Sequence, residues 1–223
     1  MKTRVKVCCI SSLDEANTAV ALGVNAIGLV GKMPSGPGVI PDELIKTIAA
    51  FVPKDIDTFM LTSETSAKKI VEHHSRTLTN TIQIVDELKE GSYSDIRSSL
   101  PNVKLVQVIH VIDDTSVAEA VRISEFVDAF LLDSGNPSLK VKELGGTGRV
   151  HNWSLSKKIV EHSNVPVYLA GGLNADNVQL AIKEVNPFGV DLCSGVRTNG
   201  ILDKNKLITF LNKVWNNDVS SIS

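Results

Sequence analysis

The chain has 223 residues, of which 43% are hydrophobic and 22% charged, with a formal net charge of −2 at pH 7. Such a chain can bury roughly three quarters of its unfolded surface in one core. The weak net charge and the 4% of aromatic residues argue against a nucleic-acid partner, and no apolar run reaches the ~20 residues of a membrane span. We therefore expect a soluble, cytoplasmic protein without nucleic-acid or membrane partners.

In the first half of the chain, short apolar runs alternate with helical patterns. Strands are predicted at residues 3–9, 26–30, 58–61 and 81–85. The first strand places Lys6 and Cys8 on one face. A helix opens at a capping box in which Ser12 pairs with Glu15, and the next helix takes Pro41 as its first residue.

The third helical run, at residues 66–74, is polar and carries two adjacent histidines, His73 and His74. Polar residues on such a helix face are usually exposed, so we expect both imidazoles to be solvated.

The second half continues the alternation. Strands are predicted at residues 103–111, 127–132, 165–170 and 188–192. Ser116 and Asn174 are candidate caps of two helices, and further helices are expected at 154–162 and 202–214. Eight strand–helix units in 223 residues average about 28 residues each, which predicts a single (β/α)₈ barrel domain over residues 1–223. A doubly wound parallel sheet is the alternative.

Glycine-rich turns follow the last two predicted strands. Gly171 and Gly172 come after the seventh strand, and Ser194 and Gly195 come after the eighth. In (β/α)₈ barrels, the backbone N–H groups of these two loops commonly bind phosphate. We therefore expect a phosphorylated small molecule to bind there.

The three cysteines, Cys8, Cys9 and Cys193, are an odd number in a large chain, which is not a disulfide framework. No ligand spacing of the Cys-x-x-Cys or His-x-x-x-His kind repeats, so we expect no metal. A buried thiol taken alone is most simply a small hydrophobic side chain.

Several motifs, taken in order, resemble the phosphoribosylanthranilate isomerase family, the (β/α)₈ enzymes of tryptophan biosynthesis. These motifs are Lys6-Val7-Cys8-x-Ile10, Leu131-Leu132-Asp133-Ser134, Gly145-Gly146-Thr147-Gly148, Trp153-Ser154, Leu169-Ala170-Gly171-Gly172-Leu173-Asn174, and Gly189-Val190-Asp191 followed by Ser194-Gly195-Val196. The resemblance is dense from about residue 128 to 196 and poor between about 32 and 102.

The resemblance implies an Amadori rearrangement, in which an N-linked aminoaldose phosphate becomes a 1-amino-1-deoxyketose phosphate without any metal or organic cofactor. It makes Asp133 the general acid that protonates the furanose oxygen and Cys8 the general base that removes the proton from carbon two. Lys6 lies on the same strand face as Cys8 and would favour its thiolate. Lys6, Gly146, Asp191 and Arg197 are further expected substrate contacts.

The chain departs from the family at the end that would hold the aromatic amine. Pro37 stands where the family has an arginine for the anthranilate carboxylate, and a proline side chain cannot bind a carboxylate. Lys32, Arg149 or Arg197 is the expected replacement. If none of these residues replaces the arginine, the alternative is an isomerase of a different phosphoribosyl amine or phosphosugar, or a non-catalytic sensor that binds one.

Other departures lie near the candidate thiol base. Cys9 replaces a glycine, Cys193 a serine and Arg197 a glutamate, and the fourth strand lacks the family's histidine and glycine. The related histidine-pathway isomerase would need a carboxylate in place of Cys8, which argues against that activity. The expected partner is a phosphosugar substrate, with the protein a monomer or a homodimer.

Overall fold

The protein is a closed barrel of eight parallel strands, in a computed structural model that describes residues 2–135 and 151–217, the last two by their backbone only. The strands are β1 (Arg4–Val7), β2 (Ala26–Val30), β3 (Asp57–Thr62), β4 (Thr81–Ile84), β5 (Lys104–His110), β6 (Ala129–Asp133), β7 (Val167–Leu169) and β8 (Gly189–Leu192). Each strand pairs with its neighbours in sequence, and β1 also pairs with β8. The predicted barrel is confirmed, and the doubly wound sheet is wrong because that sheet has open edges.

In the described part of the chain, eight helices alternate with these strands and cover the barrel. They are α1 (Leu13–Ala21), α2 (Asp42–Phe51), α3 (Ala67–Thr77), α4 (Tyr93–Ser99), α5 (Thr115–Ile123), α6 (Trp153–His162), α7 (Val178–Val185) and α8 (Lys204–Asn217). The apolar residues of these helices pack on the outward side chains of the strands and form the largest core cluster. None of the described helices combines the length and the apolar character that crossing a bilayer requires.

Several predicted helix starts are shifted. The Ser12 hydroxyl caps α1 as predicted by accepting from Glu15 N, but Pro41 precedes the first turn of α2. Ser116 is wrong as a cap, because Asp113 accepts from Thr115 N and the helix starts earlier.

The predicted cap at Asn174 is also wrong, because α7 begins four residues later. The Asn174 side chain accepts from the backbone N–H groups of Asp176 and Asn177, and this local turn competes with a helix start.

A small antiparallel hairpin follows the barrel, with β9 at Arg197–Thr198 and β10 at Ile201–Leu202. Its turn, Asn199-Gly200, has φ values of 52° and 80°, as a two-residue hairpin turn requires. The Asn-Gly pair is the sequence signal for this hairpin, which the strand periodicity missed.

The histidines of α3 are buried, so the expectation that both are solvated is wrong. His73 Nδ1 lies 2.9 Å from Thr62 Oγ1 in β3, and its Nε2 lies 3.1 Å from Asp42 Oδ1 at the start of α2. His74 Nε2 lies 2.7 Å from the carbonyl oxygen of Thr79. Hydrogen bonds of this kind let polar rings enter a core.

Aromatic side chains pack inside the lower half of the barrel. The rings of Phe59 and Tyr168 meet edge to face with centroids 5.9 Å apart. At the amino-terminal end, Asp57 binds Arg4 at 2.9 Å and Lys104 at 2.7 Å.

Candidate active site

A cleft opens at the carboxyl ends of the strands, with about 690 Å³ of empty space when the part open to solvent is included. Six of the predicted site residues line the cleft: Cys8, Asp133, Gly171, Gly172, Asp191 and Ser194. The structure thus brings the predicted acid, base and phosphate turns to one place.

Cys8 stands immediately after β1, with its backbone N–H donating to the carbonyl oxygen of Leu192 at 2.8 Å. It is buried, and its thiol lies over β2. A Cβ added at Gly28 would be 2.7 Å from Cys8 Sγ and 3.1 Å from Lys6 Nζ. Gly28 therefore leaves the space that the thiol and the ammonium group share.

Lys6 is fully buried in the barrel, and its Nζ lies 2.9 Å from Asp191 Oδ1 in β8. Burial alone would lower the pKa of Lys6, but the attraction of Asp191 outweighs it and raises the pKa above the usual value. Neither of these two atoms has a partner in hydrogen-bond geometry among the described residues. Lys6 does not line the cleft itself but supplies a permanent positive charge below it.

Asp133 ends β6, on the other side of the cleft from β1, and is 7% exposed. Its Oδ1 accepts from Ser134 N at 2.7 Å, and within residues 2–135 and 151–217 its Oδ2 accepts no hydrogen bond. The apolar side chain of Leu131 lines the cleft beside it.

His151, two residues before α6, is half-buried, and its Nε2 lies 2.7 Å from Ser156 Oγ. Burial lowers its pKa to about 4, against an opposing attraction from Asp133. The ring is therefore neutral at physiological pH.

The two predicted phosphate turns meet at the rim of the cleft. Gly171 and Gly172 have φ values of 85° and 62°, which side chains rarely allow, and a short 3-10 helix covers Ser194–Val196. A Cβ on Gly195 would collide with the carbonyl oxygen of Leu173, so only glycine lets the turns approach. The N–H groups of Gly171, Gly172, Ser194 and Gly195 have no partner in the described part of the chain.

Arg197 does not line the cleft, contrary to its predicted place among the substrate-binding residues. Its guanidinium group donates to Glu15 Oε1 at 3.0 Å and to the carbonyl oxygens of Cys8 at 3.2 Å and Cys9 at 2.5 Å. Both charged side chains are 8% exposed. Arg197 is therefore committed to the protein's own groups.

The other two candidates for the missing arginine are Lys32 and Arg149. Lys32 is exposed and does not line the cleft. Gly146 and Arg149, together with the whole Gly145–Gly148 motif, lie outside the described residues.

Two polar residues of the site were not found from sequence. Gln83 of β4 lines the cleft and is buried, and its Oε1 has no hydrogen-bond partner among the described residues. Asn177 donates to the carbonyl oxygen of Gly172 at 2.9 Å and so fixes the first phosphate turn. A buried polar residue inside an apolar strand was the only available signal for Gln83.

Groups of three or more His, Cys, Asp or Glu side chains suited to a metal ion are absent from residues 2–135 and 151–217. The polar groups that line the cleft in this part of the chain are three thiols, two carboxylates, one amide, two serine hydroxyls and peptide N–H donors.

Comparisons with known proteins point to one family. The family model of N-(5'-phosphoribosyl)anthranilate isomerase matches residues 5–213. N-(5'-phosphoribosyl)anthranilate isomerase 2 of Methanosarcina mazei is 35% identical over 215 residues, which cover 96% of this chain and 94% of that one. The isomerase of Nostoc punctiforme is 32% identical over 213 residues, or 95% and 98% of the two chains.

Solved structures agree with the sequence matches. The phosphoribosyl anthranilate isomerase of Thermotoga maritima superposes with a TM-score of 0.78 at 27% identity, covering 95% of this chain and 98% of that one. A phosphoribosyl anthranilate isomerase in complex with reduced 1-(o-carboxyphenylamino)-1-deoxyribulose 5-phosphate gives 0.76 at 25% identity, with the same coverage. The barrel, the placing of the site and these matches together show that the chain belongs to the N-(5'-phosphoribosyl)anthranilate isomerase family.

Proposed function

We propose that this chain isomerises N-(5'-phosphoribosyl)anthranilate to 1-(2-carboxyphenylamino)-1-deoxyribulose 5-phosphate, with Asp133 as general acid and Cys8 as general base. One observation carries the assignment of roles. A thiol and a carboxylic acid on strands three places apart in the ring line one cleft, whose rim offers unpaired peptide N–H groups. An acid, a base and an anchor for the phosphate are what this reaction needs.

Binding starts at the phosphate. The unpaired N–H groups of Gly171, Gly172, Ser194 and Gly195 donate to its oxygens, and a rigid anchor of this kind holds the sugar in one orientation. Asn177 keeps the first turn in place through its bond to Gly172.

Ring opening follows when Asp133 gives its proton to the furanose oxygen. Oδ1 is held by Ser134 N, which leaves Oδ2 to carry the proton. The breaking C–O bond releases its electrons to oxygen, and the amine nitrogen donates its pair to form a C=N bond.

Cys8 then removes the proton from carbon two as a thiolate, giving an enolamine that tautomerises to the ketose. The ammonium group of Lys6 lies next to this thiol and attracts its negative charge. Asp191 keeps Lys6 protonated in a place that is otherwise unfavourable for a cation.

The amine end of the cleft is apolar and uncharged in the described part of the chain. It is lined by Met33, Ser35, Gly36 and Pro37. This favours a second candidate, the same rearrangement on a phosphoribosyl amine whose amine portion lacks the carboxylate.

A single-turnover assay with freshly generated phosphoribosylanthranilate tests the proposal, since the substrate's fluorescence is lost on isomerisation. We expect Cys8→Ala and Asp133→Asn to lower the rate at least about 10²-fold, the range for one general acid or base. Cys9→Gly is the matched control, because it removes a neighbouring thiol at a position whose φ of 62° suits glycine.

The outcomes separate the candidates. A folded wild-type protein that turns over the phosphoribosyl derivative of aniline, but not that of anthranilate, would favour the second candidate. Full activity of Cys8→Ala would overturn the assignment of the base.

We also propose that the protein acts in the cytoplasm, as a monomer or a homodimer, with the phosphosugar as its partner. The isomerase of Thermotoga maritima is dimeric, and monomers have been generated from it. Light scattering at several concentrations determines which state this chain takes.

A further inference from the structure

Three thiols meet at one point of the cleft, where the first and last strands of the barrel are paired. In the β1–β8 register Val7 stands opposite Leu192, so Cys8 and Cys9 follow on one strand and Cys193 follows on the other. Paired strands lie about 4.8 Å apart. All three thiols line the cleft.

Within this group, the thiol of Cys9 interacts with both of the others, and that of Cys193 interacts with Cys9. Cys9 has a left-handed backbone, and its Sγ lies 3.7 Å from the carbonyl oxygen of Pro37. Cys8 instead points at β2, where its Sγ faces Gly28.

The contact shifts the pKa values of the Cys9 and Cys193 thiols in opposite directions. The interaction with Cys9 lowers the pKa of Cys193. Burial acts in the opposite direction, and the nearby positive charge of Arg197 lowers this pKa further. The same contact, together with burial, raises the pKa of Cys9. Cys193, which is only half-buried, is therefore the more nucleophilic thiolate, and Cys9 holds a proton ready beside it.

We propose that Cys9 and Cys193 are a modification site, at which a hydroperoxide converts the pair to a reversible disulfide across the mouth of the cleft. The Cys193 thiolate attacks the peroxide oxygen, the O–O bond breaks, and Cys193 becomes a sulfenic acid as the leaving alkoxide or hydroxide takes a proton. Cys9 sulfur then attacks Cys193 sulfur and water leaves. Two thiols are oxidised, and one hydroperoxide is reduced to an alcohol, or to water, plus the water that leaves.

Cys8 and Cys9 do not form the competing pair. Consecutive Cα atoms across a trans peptide are about 3.8 Å apart, below the roughly 4.4–6.8 Å that disulfides span. No cis peptide bond is present among the described residues.

The disulfide would leave the base intact and still stop catalysis. Cys193 directly precedes Ser194 of the second phosphate turn, and Cys9 directly follows Cys8. A covalent link between them fixes the rim and occupies the space between the phosphate turn and the base. Reduction by a dithiol restores the open cleft.

Peptide mapping tests the site without any reference to isomerase activity. The protein is treated with hydrogen peroxide, free thiols are blocked with iodoacetamide, and a tryptic digest is analysed by mass spectrometry. Cleavage after Lys6, Lys32, Lys183 and Arg197 puts Cys8 and Cys9 in one peptide and Cys193 in another. We expect these peptides to be joined, with one iodoacetamide label on the first.

Three single substitutions identify the linked thiols. The cross-link should persist in Cys8→Ser and vanish in Cys9→Gly and Cys193→Ser. A link that needs Cys8, or no link in a folded wild-type protein, overturns the proposal.

The effect on turnover is measured separately and relative to each variant's own reduced activity. We expect peroxide to lower wild-type activity at least about tenfold and dithiothreitol to restore it. Equal loss in Cys193→Ser would show that direct oxidation of Cys8 is responsible, and would overturn the role of the disulfide in closing the cleft.

Discussion

Arg197 joins parts of the chain that are 182 residues apart in sequence, because its guanidinium group binds both Glu15 and the carbonyl oxygens that follow β1. It therefore holds the backbone on which the proposed base is carried. From the sequence we expected this arginine in the substrate site, since a cation near the cleft could bind the carboxylate of the substrate. Only the fold reveals that Glu15 already neutralises it.

Removing this arginine is expected to destabilise the protein strongly. Arg197→Ala leaves the buried Glu15 carboxylate without its cation, and breaking such a pair costs about 3 kcal/mol of unfolding free energy. Urea denaturation measures the loss. The control is Arg97→Ala, which breaks a half-exposed pair with Asp128 and should cost below about 1 kcal/mol. Equal losses in the two variants would contradict the prediction.

Glu15 should also contribute to acid sensitivity. Burial opposes its ionisation, but hydrogen bonds from Arg197 and from the N–H groups of Leu202 and Ser11 prevail and lower its pKa below the usual 4.5. The folded state therefore binds this proton less readily than the unfolded state. The resulting stabilisation is complete above pH 4.5 and is lost as the pH falls through the lowered pKa.

Glu15→Gln tests this linkage. We expect the variant to be less stable than wild type at pH 7 and the difference to shrink below pH 4.5, as followed by urea denaturation across pH 3–7. A difference that is constant over this range would show that ionisation of Glu15 has no part in stability.

The strands were predictable at the scale of elements, whereas the helix ends were not. Strands buried on both faces read as apolar runs, and all eight were found from that pattern. Helix starts depend on competition between nearby side chains, as when Asp113 and Asn174 bind backbone N–H groups outside the predicted caps. The helix α4 was not singled out, although its capping box of Ser92 and Asp95 was a signal.

The buried histidines of α3 show a second limit of prediction from local sequence patterns. A polar helix face normally points to water, yet His73 connects α3 to Thr62 of β3 and to Asp42 of α2. Such a bridge depends on partners that lie 11 and 31 residues away, and local periodicity contains no information about them.

His73→Ala should weaken this packing. The change removes the ring and leaves the Thr62 hydroxyl without its partner, so we expect a loss of about 2–3 kcal/mol. Thermal or urea unfolding gives the value. His162→Ala is the control, since that ring is exposed and contacts only the carbonyl oxygen of Lys158. A loss no greater than the control's would mean that the bridge is not stabilising.

The close approach of the two proposed phosphate turns predicts that a substitution at Gly195 weakens substrate binding. Gly195→Ala forces the turn after β8 away from Leu173 in the turn after β7, so the N–H groups no longer converge. We expect a rise in KM of at least tenfold, and weaker competition by inorganic phosphate, with a smaller change in kcat. Ala170→Gly, which alters the facing turn after β7 without adding an atom, is the comparison; a change confined to kcat would contradict the assignment.

The architecture of the whole molecule could be predicted by counting strand–helix units, because eight such units close a barrel. The site could be predicted less completely. The motifs gave the candidate acid, the candidate base and the candidate phosphate turns, since each stands at the end of a strand. The positions of Gln83, which lines the cleft, and of Asn177 and Glu15, which act through other residues, became visible only when the strands were closed into a ring.

Closure by β1 and β8 predicts that the barrel folds as a unit. A fragment of residues 1–184 lacks β8 and α8, which leaves β1 and β7 with unpaired edges. We expect this fragment to lose the cooperative urea transition, and co-expression with residues 185–223 to restore it. A cooperative transition in the fragment alone would show that the barrel can be divided there.

The same closure has a consequence for synthesis on the ribosome. The strand that carries Cys8 emerges first, but its second neighbour, β8, ends only at Leu192. At about 5–20 residues per second, β1 waits roughly 10–40 s for that neighbour. During this interval its free edge is open to other nascent chains, so the strand that leads to the proposed base is exposed to misassociation until the barrel closes.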